Sequence, residues 1–588
     1  MTGKNTVKNA GKNKAEGARY RVRNVARREH FQRRMILEGA LVGGVTGTVI
    51  ALFRLALNNG DVIRNRMVEF ARSGGSHALA VLGILMVLAV LIYLLLRWEP
   101  DISGSGIPQV EGEMKGLEDQ CWWRVLPAKL LGCTLAIGGG LALGREGPSI
   151  QIGGMLGKAC ARIRKTNLTE ERLLMTCGAG AGLAAAFGAP LAGALFSLEE
   201  LHKNFSLEVL VPTMVSTAVA DYVAVNIIGL TPVFDFSITE KLPLRLYWSV
   251  LILGLILGAF GVLYNRTLAA MQDLFDGIGR LVDKAVSSVF ISGDAAAGHS
   301  GRPGRDRKPL YKMITAMLMA FAAMFLYPVV LGSGSYLVAM ISAGRFTLGA
   351  LAILLVWKFF FSTASFGSGS PGGIFLPLLV LGALTGGLYS RALSALLGVD
   401  QVYIASFVIL GMAGYFAAIV RAPITGIILI TEMTGDLSSF LSLTFISVVA
   451  YMVADTLSGE PVYEQLLNRR LENRKLTPQE EDIVEIDRPR YQKERTVDKK
   501  TRGRERRAII FGDIHTGSYM DGRQVMDLEL PPGALITSVR RGDRELIPGG
   551  RTRLLGGDVI EVLCRRSDIG PAQDILEKKC HMLTGEEE

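Results

Sequence analysis

Long apolar stretches dominate the first 470 positions of the chain. Ala78–Leu96 is an uncharged apolar run, and at ~1.5 Å per residue it can cross a hydrocarbon layer of ~30 Å. Similar runs, several of them interrupted by Gly or Pro, lie at 36–57, 209–229, 246–263, 313–332, 348–366, 374–396, 402–420 and 438–454. The pattern predicts an all-α polytopic membrane protein.

Polar and charged residues concentrate towards the two ends. Residues 1–34 are rich in Lys and Arg, and the positive-inside rule predicts a basic cytoplasmic tail. Residues 476–507 are strongly charged and are predicted to form a linker, which is also cytoplasmic. After it, short β-rich runs such as Ala534–Val539 alternate with Gly/Pro turns, which predicts a small α+β domain over 508–588. A helix from about Ile569 to Lys579 closes this domain.

Composition supports a membrane location for this chain. It has 588 residues, a net charge of +10 and a mean hydropathy of +0.32. The charge lies mainly in the ends, which indicates topology and predicts no nucleic-acid partner. No apolar core follows the first Met, so no cleavable signal peptide is predicted. The six cysteines form no CxxC pair and no His/Cys metal spacing, so we expect neither a metal nor a cofactor.

Two segments of the membrane part repeat each other. Gly178–Glu199 and Gly411–Glu432 align at a constant offset, and both contain Ala-Pro, a later Gly and a final Glu. Upstream of each lies a Gly-x-x-x-Pro break, at Gly144–Pro148 and at Gly367–Pro371. Gly/Pro-interrupted segments at corresponding positions of two halves indicate a transport site near the midplane.

The breaks contain the candidate chemistry. In Gly144–Pro148, an Arg and a Glu interrupt apolar sequence, and charges at membrane depth usually line a pathway. A surface loop with solvated charges is the alternative. Proline suits a first helical turn, so a helix is predicted to restart near Glu146 with its free N–H groups facing an anion. Gly104–Pro108 offers a hydroxyl, and Gly372–Pro377 offers N–H groups. Several such helix starts suit an anion held by dipoles and hydroxyls.

The motifs GSGIP, GREGP and GGIFLP, in this order, resemble those of bacterial members of the CLC family of chloride channels and transporters. The resemblance covers roughly Glu38 to Leu471. It implies a CLC-type inverted repeat with broken helices, a transmembrane domain over 35–475, and halves at roughly 35–230 and 245–475. It also implies a homodimer in the bacterial plasma membrane with one pathway in each subunit.

The resemblance implies a role for each motif residue. The expected anion-binding groups are the hydroxyls of Ser105 and Tyr463 and the backbone N–H groups of Ile374 and Phe375. Glu146 corresponds to the gating glutamate, and Glu200 to the internal glutamate that passes protons. The supporting positions are Gly104, Gly106, Pro108, Lys129, Arg145, Gly147, Pro148 and Glu199.

Each of these residues also has an ordinary structural interpretation. Glu200 suits a solvated helix end, Ser105 a helix cap, and Tyr463 an interfacial anchor. Lys129 and Arg145, expected to add positive potential, also suit structural roles. Two departures from the family pattern affect expectations about coupling: Gln109, where Glu often follows GSGIP, and the polar insertion at 292–308.

The expected function is proton-coupled chloride antiport. The resemblance also implies an anion preference: nitrate-preferring relatives carry Pro where this chain has Ser105, which favours chloride, and the fluoride-exporting branch departs from GREGP, which is intact here. Glu200 favours exchange, since a proton route needs a titratable inner group; a passive voltage- or pH-gated chloride channel is the alternative. A cation transporter lacks support because no ring of carbonyls or acids is present. No HExxH, nucleophile elbow or P-loop is present, so an enzyme is not expected.

The C-terminal part resembles TrkA-C domains of bacterial ion-transport regulators. The similarity lies in DLELPPGALITSVRRG and IPGGRTRLLGGDVIEVL. Such domains tend to dimerise, and some bind small ligands such as cyclic dinucleotides. The resemblance therefore implies a regulatory role for 508–588.

Overall fold

The structure is a computed structural model. It describes residues 3–166, 168–203, 205–229, 234, 240–290, 308–457, 459–475, 507–515, 518–528, 530, 534–541, 544–565, 575, 576 and 578–580. The described residues form two compact units, one within Gly39–Cys160 and Leu174–Arg470, the other within Met1–Glu38, Ala161–Leu173 and Leu471–Glu588. The predicted loop at 292–307 and the predicted linker at 476–506 lie outside the described residues.

Helices account for most of the described chain. In chain order they are α1 (Gly3–Arg72), α2 (Gly75–Trp98), α3 (Ile107–Met114), α4 (Trp122–Gly138), α5 (Glu146–Arg164), α6 (Leu168–Phe187), α7 (Pro190–Phe196), α8 (Leu207–Ile228), α9 (Tyr247–Phe290), α10 (Lys308–Leu326), α11 (Ser335–Ser342), α12 (Leu348–Gly367), α13 (Phe375–Leu397), α14 (Ile404–Val420), α15 (Pro423–Thr434), α16 (Phe440–Thr456) and α17 (Val462–Lys475). Of those described, α1, α2, α8, α9, α12, α13 and α14 are long and apolar enough to cross a membrane. Each predicted apolar run coincides with a helix over most of its length, and the run at 313–332 extends beyond the end of α10; this confirms the all-α membrane fold.

The glycine–proline breaks separate the helices as predicted. Helix α5 begins at Glu146, and α3 begins at Ile107 after Gly106, which has a φ of +98°. A Cβ on Gly106 would lie 2.5 Å from Oε1 of Gln151, so only glycine fits there. In the second half, the predicted breaks Gly367–Pro371 and Gly372–Pro377 form one segment that joins two helices. Helix α12 ends at Gly367, but α13 begins only at Phe375, because Gly369 and Gly372 turn the chain with positive φ.

The two halves pack their central helices through the same glycine contact. A Cβ on Gly153 would lie 2.0 Å from the carbonyl oxygen of Gly178, which brings α5 against α6. In the second half, a Cβ on Gly382 would lie 2.4 Å from the carbonyl oxygen of Gly411, between α13 and α14. Small residues let helix backbones approach closely in a membrane. The repeat found in the sequence is therefore also a repeat of packing.

The C-terminal part contains a four-stranded antiparallel sheet in the order β1-β4-β2-β3. Its strands are β1 (Arg507–Asp513), β2 (Leu535–Arg541), β3 (Arg544–Leu546) and β4 (Asp558–Arg565). Val539 pairs with Ile560, and both side chains are fully buried. The predicted strands are confirmed. Of the predicted closing helix, residues 575, 576, 578 and 579 are helical, and the rest lies outside the described residues, as does the turn at 531–533.

Candidate functional site

Three breaks meet through backbone hydrogen bonds. Gly144 N donates to Gly373 O at 2.6 Å, and Gly373 N donates back to Gly144 O at 2.8 Å. Gly372 N donates to Gly104 O at 3.0 Å. A Cβ on Gly373 would lie 3.1 Å from the backbone nitrogen of Gly147, so the backbones of these two breaks are in direct contact. The N-terminal ends of α3, α5 and α13 are therefore brought together, as the sequence predicted for an anion site.

The carbonyl groups before Ser105 are bound by buried side chains. Lys129 of α4, fully buried, donates to the carbonyls of residues 102 and 104 at 2.8 and 2.7 Å. Gln109 of α3 donates to those of 103 and 101 at 2.7 and 3.3 Å, and Gln151 of α5 donates to that of 101 at 2.9 Å. An anion is repelled by carbonyl oxygens. Four successive carbonyls are thus engaged, whereas the Ser105 hydroxyl that follows them has no hydrogen-bond partner among the described residues.

Two of the buried hydroxyl groups without a hydrogen-bond partner among the described residues lie next to the starts of α3 and α17. They belong to Ser105, which is 2% exposed, and to Tyr463, which is fully buried. The Ser105 hydroxyl lies against Gly147, where a Cβ would be 2.2 Å from it. The Tyr463 ring packs edge-on against Phe196 with ring centroids 6.5 Å apart. Buried hydroxyls without partners are costly, so these two groups are suited to receive a ligand.

Glu146 is the first residue of α5, and its side chain is fully buried. Neither carboxylate oxygen has a hydrogen bond of good geometry within the described residues. The nearest backbone N–H groups are those of Arg145, Leu376 and Glu146 itself, at the starts of α5 and α13. Arg145 Nε lies 3.8 Å from one carboxylate oxygen. The carboxylate thus lies where the positive ends of two helices converge.

An aromatic cluster surrounds the start of α13. Ile374 directly precedes the helix and Phe375 is its first residue; both are buried. The Phe375 ring packs against Phe187, Phe416 and Phe196 at centroid distances of 5.4, 4.7 and 6.1 Å. Phe196 contacts Tyr463 as well, so it joins the starts of α13 and α17. The sequence analysis missed Phe196, because an apolar residue among apolar residues gives no local signal.

Glu200 lies apart from the three breaks, in a π-helical turn at Ser197–His202 that continues α7. It is only 6% exposed, and the charged groups around it are those of Glu111, Lys203, Glu199 and Glu464. The corresponding residue of the second half, at the constant offset of the repeat, is Met433, which is 1% exposed. An acid therefore occupies a buried position that the other half fills with an apolar side chain. Glu200 and Glu146 both interact electrostatically with the Tyr463 hydroxyl.

Glu199, next to Glu200, has a different environment. Its carboxylate accepts hydrogen bonds from the backbone N–H groups of Ile424 and Thr425 at 3.3 and 2.8 Å. The remaining predicted positions lie in the helix starts. Pro108 is the second residue of α3 and Pro148 the third residue of α5, where a missing N–H is tolerated.

Lys358 is a residue that the sequence analysis missed. It is fully buried on α12 and donates to the carbonyls of Val330 and Gly332, each at 2.8 Å. Lys129 does the same around Gly104 in the first half. The signal was present in the sequence, because each Gly-Ser-Gly turn is followed by a Lys at nearly equal spacing, 25 and 26 residues after its first Gly. No group of His, Cys, Asp or Glu suited to a metal ion occurs in the described part of the chain.

Comparisons with known proteins show the family of the chain. The family model described as voltage gated chloride channel matches residues 86–455, and that of the TrkA-C domain matches residues 513–577. The chain is 35% identical over 457 residues to the H(+)/Cl(-) exchange transporter ClcA of Vibrio parahaemolyticus, covering 76% of this chain and 92% of that protein. It is 38% identical over 452 residues to ClcA of Vibrio cholerae, covering 75% and 90%.

Solved structures show the same fold. The crystal structure of a slow cyanobacterial Cl-/H+ antiporter superposes with a TM-score of 0.67 at 30% identity, covering 75% of this chain and 99% of that one. A eukaryotic CLC transporter superposes with a TM-score of 0.57 at 21% identity, covering 74% of each chain. The chain therefore belongs to the voltage-gated chloride channel family, CLC, and ends in a TrkA-C domain.

Proposed function

We propose that this protein exchanges chloride for protons across the membrane, with Glu146 as the gate of the anion pathway. The relatives at 35% and 38% identity are named H(+)/Cl(-) exchange transporters, and the chain covers about nine-tenths of each. The observation that carries the proposal is the Glu146 carboxylate, fully buried at two helix N-termini without a well-formed hydrogen bond. A carboxylate in this position takes the place of an anion.

The anion site follows from the groups around that carboxylate. Chloride is bound by the hydroxyls of Ser105 and Tyr463 and by the N–H groups of Ile374 and Phe375. These groups provide partial charges and no full countercharge, so the anion is held weakly enough to leave. When Glu146 is protonated, it loses its attraction for the helix N-termini and yields the outer pathway to chloride. When deprotonated, it returns and excludes the anion.

Proton transfer on the inner side is assigned to Glu200. Burying a titratable acid is costly, so a buried acid at membrane depth usually has a function, and the second half has Met433 at the corresponding position. The Tyr463 hydroxyl lies within the electrostatic influence of both glutamates. Glu200 therefore receives protons from the cytoplasm and passes them towards Glu146, past the anion site.

The cellular setting is proposed from the topology and the family. The protein lies in the bacterial plasma membrane as a homodimer, with both termini in the cytoplasm. Its transmembrane domain spans 35–475, and 476–507 links this to a regulatory domain at 508–588. The TrkA-C match over residues 513–577 supports a small-molecule regulator there, for example a cyclic dinucleotide. Deleting 508–588 without any change in transport or in its response to cytosolic nucleotides would argue against regulation.

The test of function is proton movement in proteoliposomes under an imposed chloride gradient, with and without valinomycin. We expect chloride to drive protons uphill in the wild type. Glu146→Ala and Glu200→Ala should abolish proton movement while chloride flux continues. Chloride flux without proton movement in the wild type would make the protein a passive chloride channel, the closest alternative.

A further inference from the structure

Two short helices begin without a capping side chain of their own. Helix α7 begins at Pro190 after Ala189, and α15 begins at Pro423 after Ala422; neither alanine caps its helix. The first N–H groups of a helix have no partner within the helix, and in a membrane no bulk water replaces one. Each helix therefore needs an acceptor from elsewhere in the chain.

Each acceptor comes from the opposite half of the repeat. Glu199 accepts hydrogen bonds from Ile424 N and Thr425 N at the start of α15, and from Thr425 Oγ1 at 2.7 Å. Glu432 accepts from Leu191 N at 3.0 Å and from residue 192 N at 2.8 Å, at the start of α7. The pairs correspond at the offset of the repeat. Two carboxylates thus cap two helices crosswise, with negative charge at positive helix ends.

The two caps differ in the segment that supplies them. Glu432 lies in the regular helix α15 and is followed by the buried apolar Met433. Glu199 lies in the π-helical turn Ser197–His202 and is followed by the buried acid Glu200. Single π-turns redirect side chains and occur frequently at functional sites. The cap at Glu199 fixes one side of this turn to α15 by three hydrogen bonds.

We infer that Glu199 is a positioning residue for Glu200. Its carboxylate, held on the N-terminus of α15, keeps the π-helical turn in the geometry that buries the neighbouring acid facing the pathway. This inference rests on the proposed function, in which Glu200 passes protons. It assigns different work to two adjacent acids: Glu199 holds the turn, and Glu200 transfers the proton. Glu432 has only the holding role, because the residue after it is Met433.

The symmetric cap provides a matched control. Glu199→Gln and Glu432→Gln each remove one charged cap and should lower the thermal unfolding midpoint by similar amounts. Only Glu199→Gln should change the number of protons moved per chloride. A lost charge-assisted hydrogen bond shifts the equilibrium between the native and the displaced geometry of the turn by roughly tenfold. Protons are then transferred in only part of the transport cycles, so we expect the proton-to-chloride ratio to fall at least about threefold. Chloride turnover should stay within about twofold, because the anion site is not touched.

A second variant separates positioning from titration. Thr425→Val removes one hydrogen bond to Glu199 and leaves both acids in place. If Glu199 positions the turn, Thr425→Val lowers the proton-to-chloride ratio. If Glu199 itself carries the proton, that ratio is unchanged in Thr425→Val and the inference is wrong. Equal ratios in Glu199→Gln and Glu432→Gln also overturn it. Wild-type coupling in Glu200→Gln would instead refute the proposed function.

Discussion

The contact between Gly147 and Ser105 makes the proposed anion site sensitive to a single methyl group. A Cβ on Gly147 would lie 2.2 Å from Ser105 Oγ and 2.9 Å from the Ser105 carbonyl oxygen. Cβ atoms essentially never approach a heavy atom closer than 3.0 Å, so in Gly147→Ala the hydroxyl must withdraw by about 0.8 Å, the difference between 3.0 and 2.2 Å. The substitution therefore displaces the Ser105 hydroxyl, a proposed ligand of the anion, without removing it.

The size of the effect follows from that displacement. In enzymes, a misplacement of about 1 Å can cost on the order of 100-fold in rate, and we take this as the upper bound for a displaced ligand group. Part of the shift is absorbed by the start of α5, so we expect chloride affinity to fall by about 10- to 100-fold, or about 1.4 to 2.8 kcal/mol. Alanine is a better helix former than glycine by roughly 0.5–1 kcal/mol, which offsets the cost of displacing Ser105. The free energy of unfolding should therefore change little.

Two glycines of the same helix serve as controls. A Cβ on Gly154 would lie 3.4 Å from the nearest atom, Val110 Cγ2, which is ordinary contact. Gly154→Ala should therefore leave chloride binding unchanged and raise stability by up to about 1 kcal/mol. A Cβ on Gly153 would lie 2.0 Å from the Gly178 carbonyl oxygen, so Gly153→Ala should separate α5 from α6 and destabilise the fold.

The assay pairs chloride binding by isothermal titration calorimetry with the thermal unfolding midpoint of each variant in detergent. Gly147→Ala should lose affinity at an unchanged midpoint, and Gly153→Ala should lower the midpoint. Wild-type chloride affinity in Gly147→Ala would refute the reasoning, because the Ser105 hydroxyl would then not be a ligand of the anion.

Three further predictions follow from buried polar contacts. Lys129→Met leaves the Ile102 carbonyl without its donor and the Gly104 carbonyl with Gly372 N alone, at a cost of about 1–3 kcal/mol. Unfolding and chloride titrations should show lower stability and weaker binding, whereas Lys358→Met should lower stability alone. In Gln109→Glu the side chain donates to the Ser103 carbonyl only when protonated. Chloride affinity, measured across pH, should therefore become weaker at alkaline pH, by at least about threefold; a flat profile would contradict this role. Asp558, 1% exposed, accepts two hydrogen bonds from Arg541 at 2.8 and 2.7 Å. Asp558→Ala should destabilise the C-terminal sheet by about 1–3 kcal/mol and speed its proteolysis.

Local sequence determined where the helices lie and where they break. Apolar runs long enough to cross a bilayer predict helices directly, and Gly and Pro interrupt them for reasons that act within a few residues. The starts of α3 and α5 were therefore readable from Gly106 and Pro148. The repeat was readable as well, because equal spacing of Ala-Pro, Gly and Glu needs no knowledge of contacts. The strands of the C-terminal sheet followed from short β-rich runs between turns.

Only the tertiary structure decided which polar groups remain without partners. The carbonyls before Ser105 are engaged by Lys129 and Gln151, which lie 25 to 50 residues further along the chain. The Glu199 cap on α15 spans more than 200 residues. Hydrophobic periodicity reports which face of a helix is buried, but it does not report which distant donor meets which acceptor. For that physical reason the sequence alone predicted an anion site, and the packing of the two halves decided which buried hydroxyls have no partner among the described residues.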